Sequence, residues 1–117
     1  MHRVLLVDDQ PKILKFLELK LKLAGYEVIT ATSGQKAVEL AELAKPDIIL
    51  LDIILPDING FEVLRKVRSF SKIPIIVTSA RSGYADEAKS LGASDYLPKP
   101  FNPDLLVARM ENLLGAA

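Results

Sequence analysis

Apolar residues recur along this chain in two alternating patterns, namely short unbroken runs and longer stretches with helical spacing. The runs predict five strands, at Val4–Val7, residues 26–30, Ile48–Leu51, Ile75–Val77 and Tyr96–Leu97. The helical spacing predicts five helices, one after each strand, near residues 11–24, 32–45, 61–67, 85–91 and 103–113. Because strands and helices alternate, the pattern predicts a parallel sheet with helical crossovers.

Residues that start and stop helices agree with these elements. Pro11 suits the first turn of the first helix, and Gly25 lies where a left-handed cap belongs. Thr32 and Gln35 predict a capping box for the second helix. Strands one, three and four are continuously apolar, which is typical of strands with helices on both faces, whereas strand two alternates and is predicted to be an edge. We expect an α/β open parallel sheet.

Composition narrows the class of protein. The 117 residues suit one domain, half of them are apolar, and 15 basic residues balance 15 acidic ones. This balance shows no electrostatic footprint for nucleic acid, so no direct nucleic-acid binding is expected. The first apolar run is too short for a signal peptide or a membrane span, so we expect a cytoplasmic protein without membrane association. The absence of cysteine excludes disulfides and thiol chemistry.

Polar side chains follow four of the five predicted strands. In chain order they are Asp8 and Asp9, Asp52, Thr78 and Ser79, and Lys99. Sites in open α/β sheets form outside the carboxyl ends of the strands. We therefore expect three carboxylates, a hydroxyl and an ammonium group to converge on one rim of the sheet.

Asp52 is the most unusual of these groups, because it interrupts an apolar run from Ile48 to Leu55. Burying a lone carboxylate costs on the order of several kcal/mol unless it is paired, hydrogen-bonded or bound to a cation. Three neighbouring carboxylates without a nearby His or Cys favour Mg²⁺, which shares its ligands readily with a phosphate. Lys99 could contact the same phosphoryl oxygens. The pattern indicates phosphoryl transfer onto Asp52, which would act as a nucleophile.

Four stretches together closely resemble the response-regulator receiver domains of two-component signalling: "LLVDDQ", "LLDIILPDING", "TSA" and "DYLPKPF". They occur in the family's order and cover essentially the whole chain. The resemblance implies a single receiver domain over residues 1–117 with a chemotaxis-regulator-like fold. That fold is the flavodoxin-like (βα)5 open sheet with strand order 2-1-3-4-5.

The resemblance also implies a role for each residue of the rim. Asp52 would be the phosphoacceptor, and Mg²⁺, with Mn²⁺ as a substitute, would be held by Asp8, Asp9, Asp52 and the backbone carbonyl of Ile54. Lys99 would contact the phosphoryl group, and its bond to Pro100 is expected to be cis.

Other residues would act in switching and in setting the phosphate lifetime. Ser79 would be the switch hydroxyl, with Thr78 ranked below it, and Tyr96 would be the aromatic switch residue. Ile54 and Arg81 occupy positions at which relatives tune the lifetime of the phosphate, and their bulk suggests slow hydrolysis.

The implied partners are a histidine kinase or phosphotransfer protein as donor, and an output domain or partner protein that is not in this chain. Phosphorylation would remodel the face made by helix four, strand five and helix five. We expect a monomer or a phosphorylation-dependent dimer; Asp95 and Arg109 resemble dimerising charges, although we interpret them as solvated surface charge. The chain would catalyse its own phosphorylation and dephosphorylation as a signalling module, not as a metabolic enzyme. Kinase, pathway and output stay open.

Alternative functions lack their own signatures. A haloacid-dehalogenase-type phosphatase usually has a second acid two residues after its nucleophile, where this chain has Ile54. A flavin- or nucleotide-binding module would have a loop rich in Gly, Ser and Thr after strand one, in place of two acids. A degenerate receiver that only binds proteins would not need the complete set of polar groups. The structural alternatives are that Asp9 caps a helix, Lys99 forms a plain ion pair and Tyr96 only packs.

Overall fold

Five strands and five helices alternate along residues 1–115, which are the residues that the computed structural model describes. The last two residues of the predicted domain 1–117 lie outside this range. The elements are β1 (Arg3–Val7), α1 (Pro11–Leu23), β2 (Glu27–Ala31), α2 (Gly34–Leu43), β3 (Ile48–Asp52), α3 (Gly60–Arg68), β4 (Ile75–Ser79), α4 (Ala85–Ser90), β5 (Asp95–Pro98) and α5 (Pro103–Leu114).

All strand pairs are parallel, and the order across the sheet is β2-β1-β3-β4-β5. The predicted fold, strand order and edge position of β2 are therefore confirmed. The burial pattern agrees, because β1, β3 and β4 are buried almost throughout while β2 is mostly half-buried. Among residues 1–115, no helix combines the length and the apolar character that crossing a membrane requires.

Alternate residues of the strands supply two cores, one on each face of the sheet. Leu50 and Ile76 pack with α1 and α5, whereas Leu51 and Val77 pack with α2, α3 and α4. Each fully buried leucine or isoleucine contributes about 1.5–3 kcal/mol. The two cores hold the strand ends in fixed relative positions, and the polar rim is built on those ends.

Helix ends follow local chemistry with one correction. Gly25, which follows the C-cap residue Ala24 of α1, adopts φ +96° as its predicted left-handed conformation requires, and Asn102 caps α5 by accepting from the Asp104 amide. The predicted capping box of Thr32 and Gln35 is wrong. Ser33 is the N-cap of α2, because its backbone is extended and its hydroxyl accepts from the amide of the third helical residue, Lys36.

The loop after β3 turns back tightly onto the strand. The amide of Gly60 donates to the carbonyl oxygen of Ile53 at 2.7 Å. A Cβ atom at Gly60 would lie 2.5 Å from the Ile53 Cα and 2.6 Å from the Asp52 carbonyl oxygen. Glycine is therefore required at this position for a close approach of two backbones.

Candidate functional site

The carboxyl ends of β1, β3 and β5 bring Asp8, Asp52 and Lys99 together on one face of the sheet. Asp8 directly follows β1, Asp52 is the last residue of β3, and Lys99 directly follows β5. Strand alternation places all three on the side of α1 and α5, because Leu50, two residues before Asp52, packs in that core. The convergence that the sequence predicted is thus present for these three groups.

Lys99 bridges the two buried carboxylates. Its Nζ lies 2.7 Å from Asp8 Oδ2 and 3.0 Å from Asp52 Oδ2. Asp8 and Asp52 are only 2% and 5% exposed, so both acids need compensation. The second oxygen of each accepts a backbone amide, from Gln10 at 2.9 Å and from Ile54 at 3.2 Å. Within residues 1–115, no buried side-chain nitrogen or oxygen lacks a hydrogen-bond partner.

The raised pKa of Asp52 indicates that the Lys99 ammonium does not fully offset the burial of this carboxylate. Burial raises the pKa of Asp52, and the Asp8 charge adds to this, in spite of the opposing hydrogen bond and charge of Lys99 and the Ile54 amide. Burial acts to lower the pKa of Lys99, but hydrogen bonds and charges from Asp8 and Asp52 outweigh it and raise that pKa. The site would therefore be stabilised by a further positive charge.

Asp9 completes a group of carboxylates that fits a hard cation. Single oxygens of Asp8, Asp9 and Asp52 all lie within 4.8 Å of one another, with Asp9 exposed and the other two buried. Three carboxylates against one ammonium leave an excess of negative charge. An all-oxygen donor set open to solvent on one side suits Mg²⁺, which keeps several waters in its shell. The residues present thus fit the metal that the sequence predicted.

The end of β4 contributes two hydroxyls that face opposite sides of the sheet. Ser79 is fully buried, and its Oγ accepts from the Arg81 amide at 3.1 Å. Strand alternation places it on the side of α2, α3 and α4 together with Val77. Thr78 is on the side of Asp52 and pairs with it in strand register. In this structure the Ser79 hydroxyl is thus engaged in the loop after β4, and Thr78 is in the face that carries the carboxylates.

Tyr96 and Arg81 are linked through the backbone. The Tyr96 hydroxyl donates to the Arg81 carbonyl oxygen at 3.0 Å, and the Tyr96 ring is partly buried against the core of α2, α3 and α4. Both backbone polar groups of Arg81 are therefore held by side chains, one by Ser79 and the other by Tyr96. The Arg81 side chain is exposed, as is Ile54 beside Asp52.

The Lys99–Pro100 peptide bond is cis. Beside Lys99 lies an open apolar cavity of about 320 Å³ between α1 and the loops that follow β4 and β5. Its wall includes Phe16 of α1 and Phe101, and Phe16 is half exposed.

Asp95 and Arg109 form an ion pair with each other, at 2.6 Å between Oδ2 and Nη1. The Asp95 carboxylate also accepts the Tyr96 amide. These two surface charges, with side chains 22% and 39% exposed, thus pair with each other within the chain.

Asp57 forms a contact that no sequence pattern indicated. Its carboxylate accepts from the amides of Gly34 and Gln35 at the start of α2, at 2.8 Å and 2.9 Å. Partner amides lie 23 and 22 residues away along the chain, so no local sequence pattern could have identified them.

Comparison with known proteins agrees with the geometry. The family model described as "Response regulator receiver domain" matches residues 4–111. The transcriptional regulatory protein KdpE of Mycobacterium tuberculosis is 43% identical over 112 residues, which cover 94% of this chain and 50% of KdpE. The chain spans about half the length of the curated relatives that it matches.

Solved structures show the same likeness. The receiver domain of the Francisella response regulator 1452 superposes with a TM-score of 0.94 at 30% identity, over 99% of this chain and 98% of that one. TrrA of Thermotoga maritima, a response regulator solved in complex with Mg(2+)-BeF, has a TM-score of 0.89 at 36% identity, over 97% of this chain and 99% of TrrA.

Proposed function

We propose that this chain, which belongs to the family of response-regulator receiver domains, accepts a phosphoryl group on Asp52 in two-component signalling. One observation carries the proposal. A buried carboxylate ends a central strand, lies 3.0 Å from the Lys99 ammonium and shares a cluster of oxygens with two further acids. Membership in this family sets aside the phosphatase and the flavin-binding alternatives.

The transfer requires little covalent chemistry from the protein. An oxygen of ionised Asp52 would attack the phosphorus atom of a phosphohistidine on a histidine kinase or phosphotransfer protein. As the new P–O bond forms, the P–N bond breaks and the imidazole nitrogen keeps the bonding pair. Lys99 would then turn its ammonium toward the phosphoryl oxygens. The apolar cavity beside Lys99 would accommodate side chains of a protein donor.

Mg²⁺ would be held by Asp8, Asp9, Asp52 and the Ile54 carbonyl, with Mn²⁺ as a substitute. When bound, it would neutralise the excess negative charge and offer a position for a phosphoryl oxygen. The complex of TrrA with Mg(2+)-BeF, at 36% identity, supports this assignment. The chain's own part is to hold four oxygen ligands in place. Asp8 and Asp9 follow β1, Asp52 ends β3, and the Ile54 carbonyl lies in the loop after β3.

We propose that Ser79 is the switch hydroxyl and that Tyr96 follows it. Ser79 would turn from the Arg81 amide toward the phosphoryl group. The Arg81 amide would then lose its partner, while the Arg81 carbonyl oxygen is the group that accepts from the Tyr96 hydroxyl. The face formed by α4, β5 and α5 would then change for an output domain or partner. Thr78 shares the face of Asp52 and is the alternative hydroxyl. The test compares Ser79→Ala with Thr78→Val, and only Ser79→Ala should abolish the phosphorylation-dependent change of the face formed by α4, β5 and α5.

Ile54 and Arg81 are proposed to slow the hydrolysis of the phosphate. Ile54 is exposed two residues after Asp52 and Arg81 is exposed two residues after Ser79, and an apolar side chain and a long cation at these positions would hinder an attacking water. Phosphate half-lives in variants at these two positions should change; unchanged half-lives in both would disprove this role.

The wider biological setting is also a proposal. We propose one receiver domain, located in the cytoplasm, that contacts no nucleic acid itself. The name of KdpE describes a transcriptional regulator, but that protein is about twice as long as the matched region. Sedimentation with and without a phosphate mimic distinguishes a monomer from a phosphorylation-dependent dimer.

The proposal is tested by incubating the protein with acetyl phosphate, with and without Mg²⁺, and measuring the intact mass. We expect a Mg²⁺-dependent gain of one phosphoryl group in the wild type and in Asp104→Asn, which changes an exposed acid of α5. Asp52→Asn should show no gain. A wild type that neither gains phosphate nor binds beryllofluoride would contradict the proposed function.

A further inference from the structure

The loop of residues 53–59 links the proposed nucleophile to α3 and carries Ile54, whose carbonyl is a proposed metal ligand. At its α3 end the loop is closed by the hydrogen bond between the Gly60 amide and the Ile53 carbonyl. Leu55 and Ile58 of the loop pack partly against the core, whereas residues 54, 56, 57 and 59 are exposed, so a contact outside the core would add to the positioning of the outer part of the loop.

Asp57 supplies that contact. Each of its two carboxylate oxygens accepts a different amide of the first turn of α2, from Gly34 at 2.8 Å and from Gln35 at 2.9 Å. Hydrogen bonds from the amides of Gln35, Gly34 and Ile58 lower the pKa of Asp57 to about 2. The carboxylate is therefore ionised at every pH at which the protein would work, and the positive end of the helix favours that charge.

The loop also contacts α2 directly. A Cβ atom at Gly34 would overlap the Ile58 side chain and lie 3.1 Å from the Ile58 carbonyl oxygen. Only glycine lets the loop approach the helix this closely. Ile58 thus packs against the start of α2, and the exposed carboxylate of Asp57 beside it bonds to the same turn of the helix.

A need for helix capping does not explain Asp57. Ser33, adjacent to α2 in sequence, already caps the helix through the Lys36 amide. Exposed amides at a helix start are ordinarily satisfied by water at little cost. The carboxylate that takes the Gly34 and Gln35 amides comes from the loop, so the contact ties the loop to the helix.

We infer that Asp57 is a positioning residue for the metal site. By holding the loop onto α2, it fixes the Ile54 carbonyl relative to Asp52, although Asp57 itself contacts neither metal nor phosphate. This inference rests on the proposed function for the identity of the metal. The position of the loop is a property of the chain that can be measured without any metal.

The test compares Asp57→Ala with Ser33→Ala. Both variants remove a side-chain acceptor from the first turn of α2, but only the first releases the loop. In calorimetric titrations at a temperature where both are folded, we expect Asp57→Ala to weaken Mg²⁺ binding by about tenfold, as is common for residues that orient metal ligands. Ser33→Ala should change it less than about twofold.

A second measurement uses the metal-free protein. Amide NMR resonances of residues 53–55 should shift in Asp57→Ala and stay in place in Ser33→Ala. Asp57→Asn, which keeps one oxygen acceptor, should fall between Asp57→Ala and the wild type in both measurements.

Equal weakening of Mg²⁺ binding by Asp57→Ala and Ser33→Ala would overturn the inference, because the effect would then come from α2 stability alone. Unmoved loop resonances in Asp57→Ala would overturn it as well. If the wild type binds no Mg²⁺, the proposed metal site fails, and the NMR comparison still decides whether Asp57 positions the loop.

Discussion

Lys99 is the only side-chain cation hydrogen-bonded to Asp8 and Asp52 among the described residues, and both carboxylates are buried. The Lys99 Nζ lies 2.7 Å from Asp8 Oδ2 and 3.0 Å from Asp52 Oδ2. Without this ammonium, each ionised carboxylate would be a buried charge with no paired cation. At the scale of single residues, one cation thus holds the rim together, and a second would stabilise it further. This is why Asp52 tolerates its apolar surroundings.

Removing Lys99 should therefore be costly. In the absence of Mg²⁺, Lys99→Met should lower the free energy of unfolding by about 3 kcal/mol, because it leaves two unpaired buried carboxylates. Lys36→Met, which breaks an exposed pair with Glu39, should cost less than about 1 kcal/mol. Urea unfolding at neutral pH measures both. Equal losses, or a loss at Lys99 that Mg²⁺ does not reduce, would contradict this account of the site.

The raised pKa of Asp52 gives a pH dependence of known sign. Since the folded protein binds this proton more tightly than the unfolded chain does, ionising Asp52 destabilises the fold, and stability falls as pH rises above the ordinary value of 3.8 through the raised pKa. In EDTA, Asp52→Asn should therefore gain stability relative to wild type as pH rises toward neutral. Urea unfolding across this range checks the sign, and Mg²⁺ should narrow the gap. A gap that shrinks with rising pH in EDTA would show that the burial cost is not the dominant effect.

At the scale of elements, sequence patterns predicted where strands and helices lie but not how loops contact them. Continuous apolar runs identified β1, β3 and β4, because burial on both faces leaves an unambiguous pattern. The N-cap of α2 is Ser33 and not the predicted Thr32; both residues can cap a helix, and only the backbone conformation distinguishes them. Asp57 was missed because its partners belong to another element.

Gly60 gives a prediction at this scale. In Gly60→Ala, the added Cβ atom would push the backbone of Asp52 and Ile53 away from residue 60. We therefore expect a loss of about 2 kcal/mol in unfolding free energy and weaker Mg²⁺ binding. Gly25→Ala is the matched control, because its site has open space and only a left-handed backbone, which costs about 1 kcal/mol. Calorimetric titration should show normal Mg²⁺ affinity for Gly25→Ala. Normal affinity in Gly60→Ala would mean that the loop adjusts without moving the metal ligands.

At the scale of the whole molecule, sheet topology assembles the site from distant parts of the chain. Lys99 lies 91 residues from Asp8 and 47 from Asp52, yet it touches both. Sequence could predict this convergence, because parallel strands end at the same edge of a sheet. Sequence could not predict that Asp95 pairs with Arg109, or that Thr78 and not Ser79 shares the face of Asp52 in this structure, since side-chain partners depend on packing between elements.

The central claim, that Asp52 receives the phosphoryl group, is tested most directly by chemical mapping. The protein is phosphorylated with acetyl phosphate and Mg²⁺, reduced with borohydride to convert an aspartyl phosphate into homoserine, digested and sequenced by mass spectrometry. We predict homoserine in place of Asp52 and unmodified Asp8 and Asp9. Homoserine at Asp8 or Asp9, or a phosphoryl mass gain that leaves every aspartate unreduced, would contradict the account.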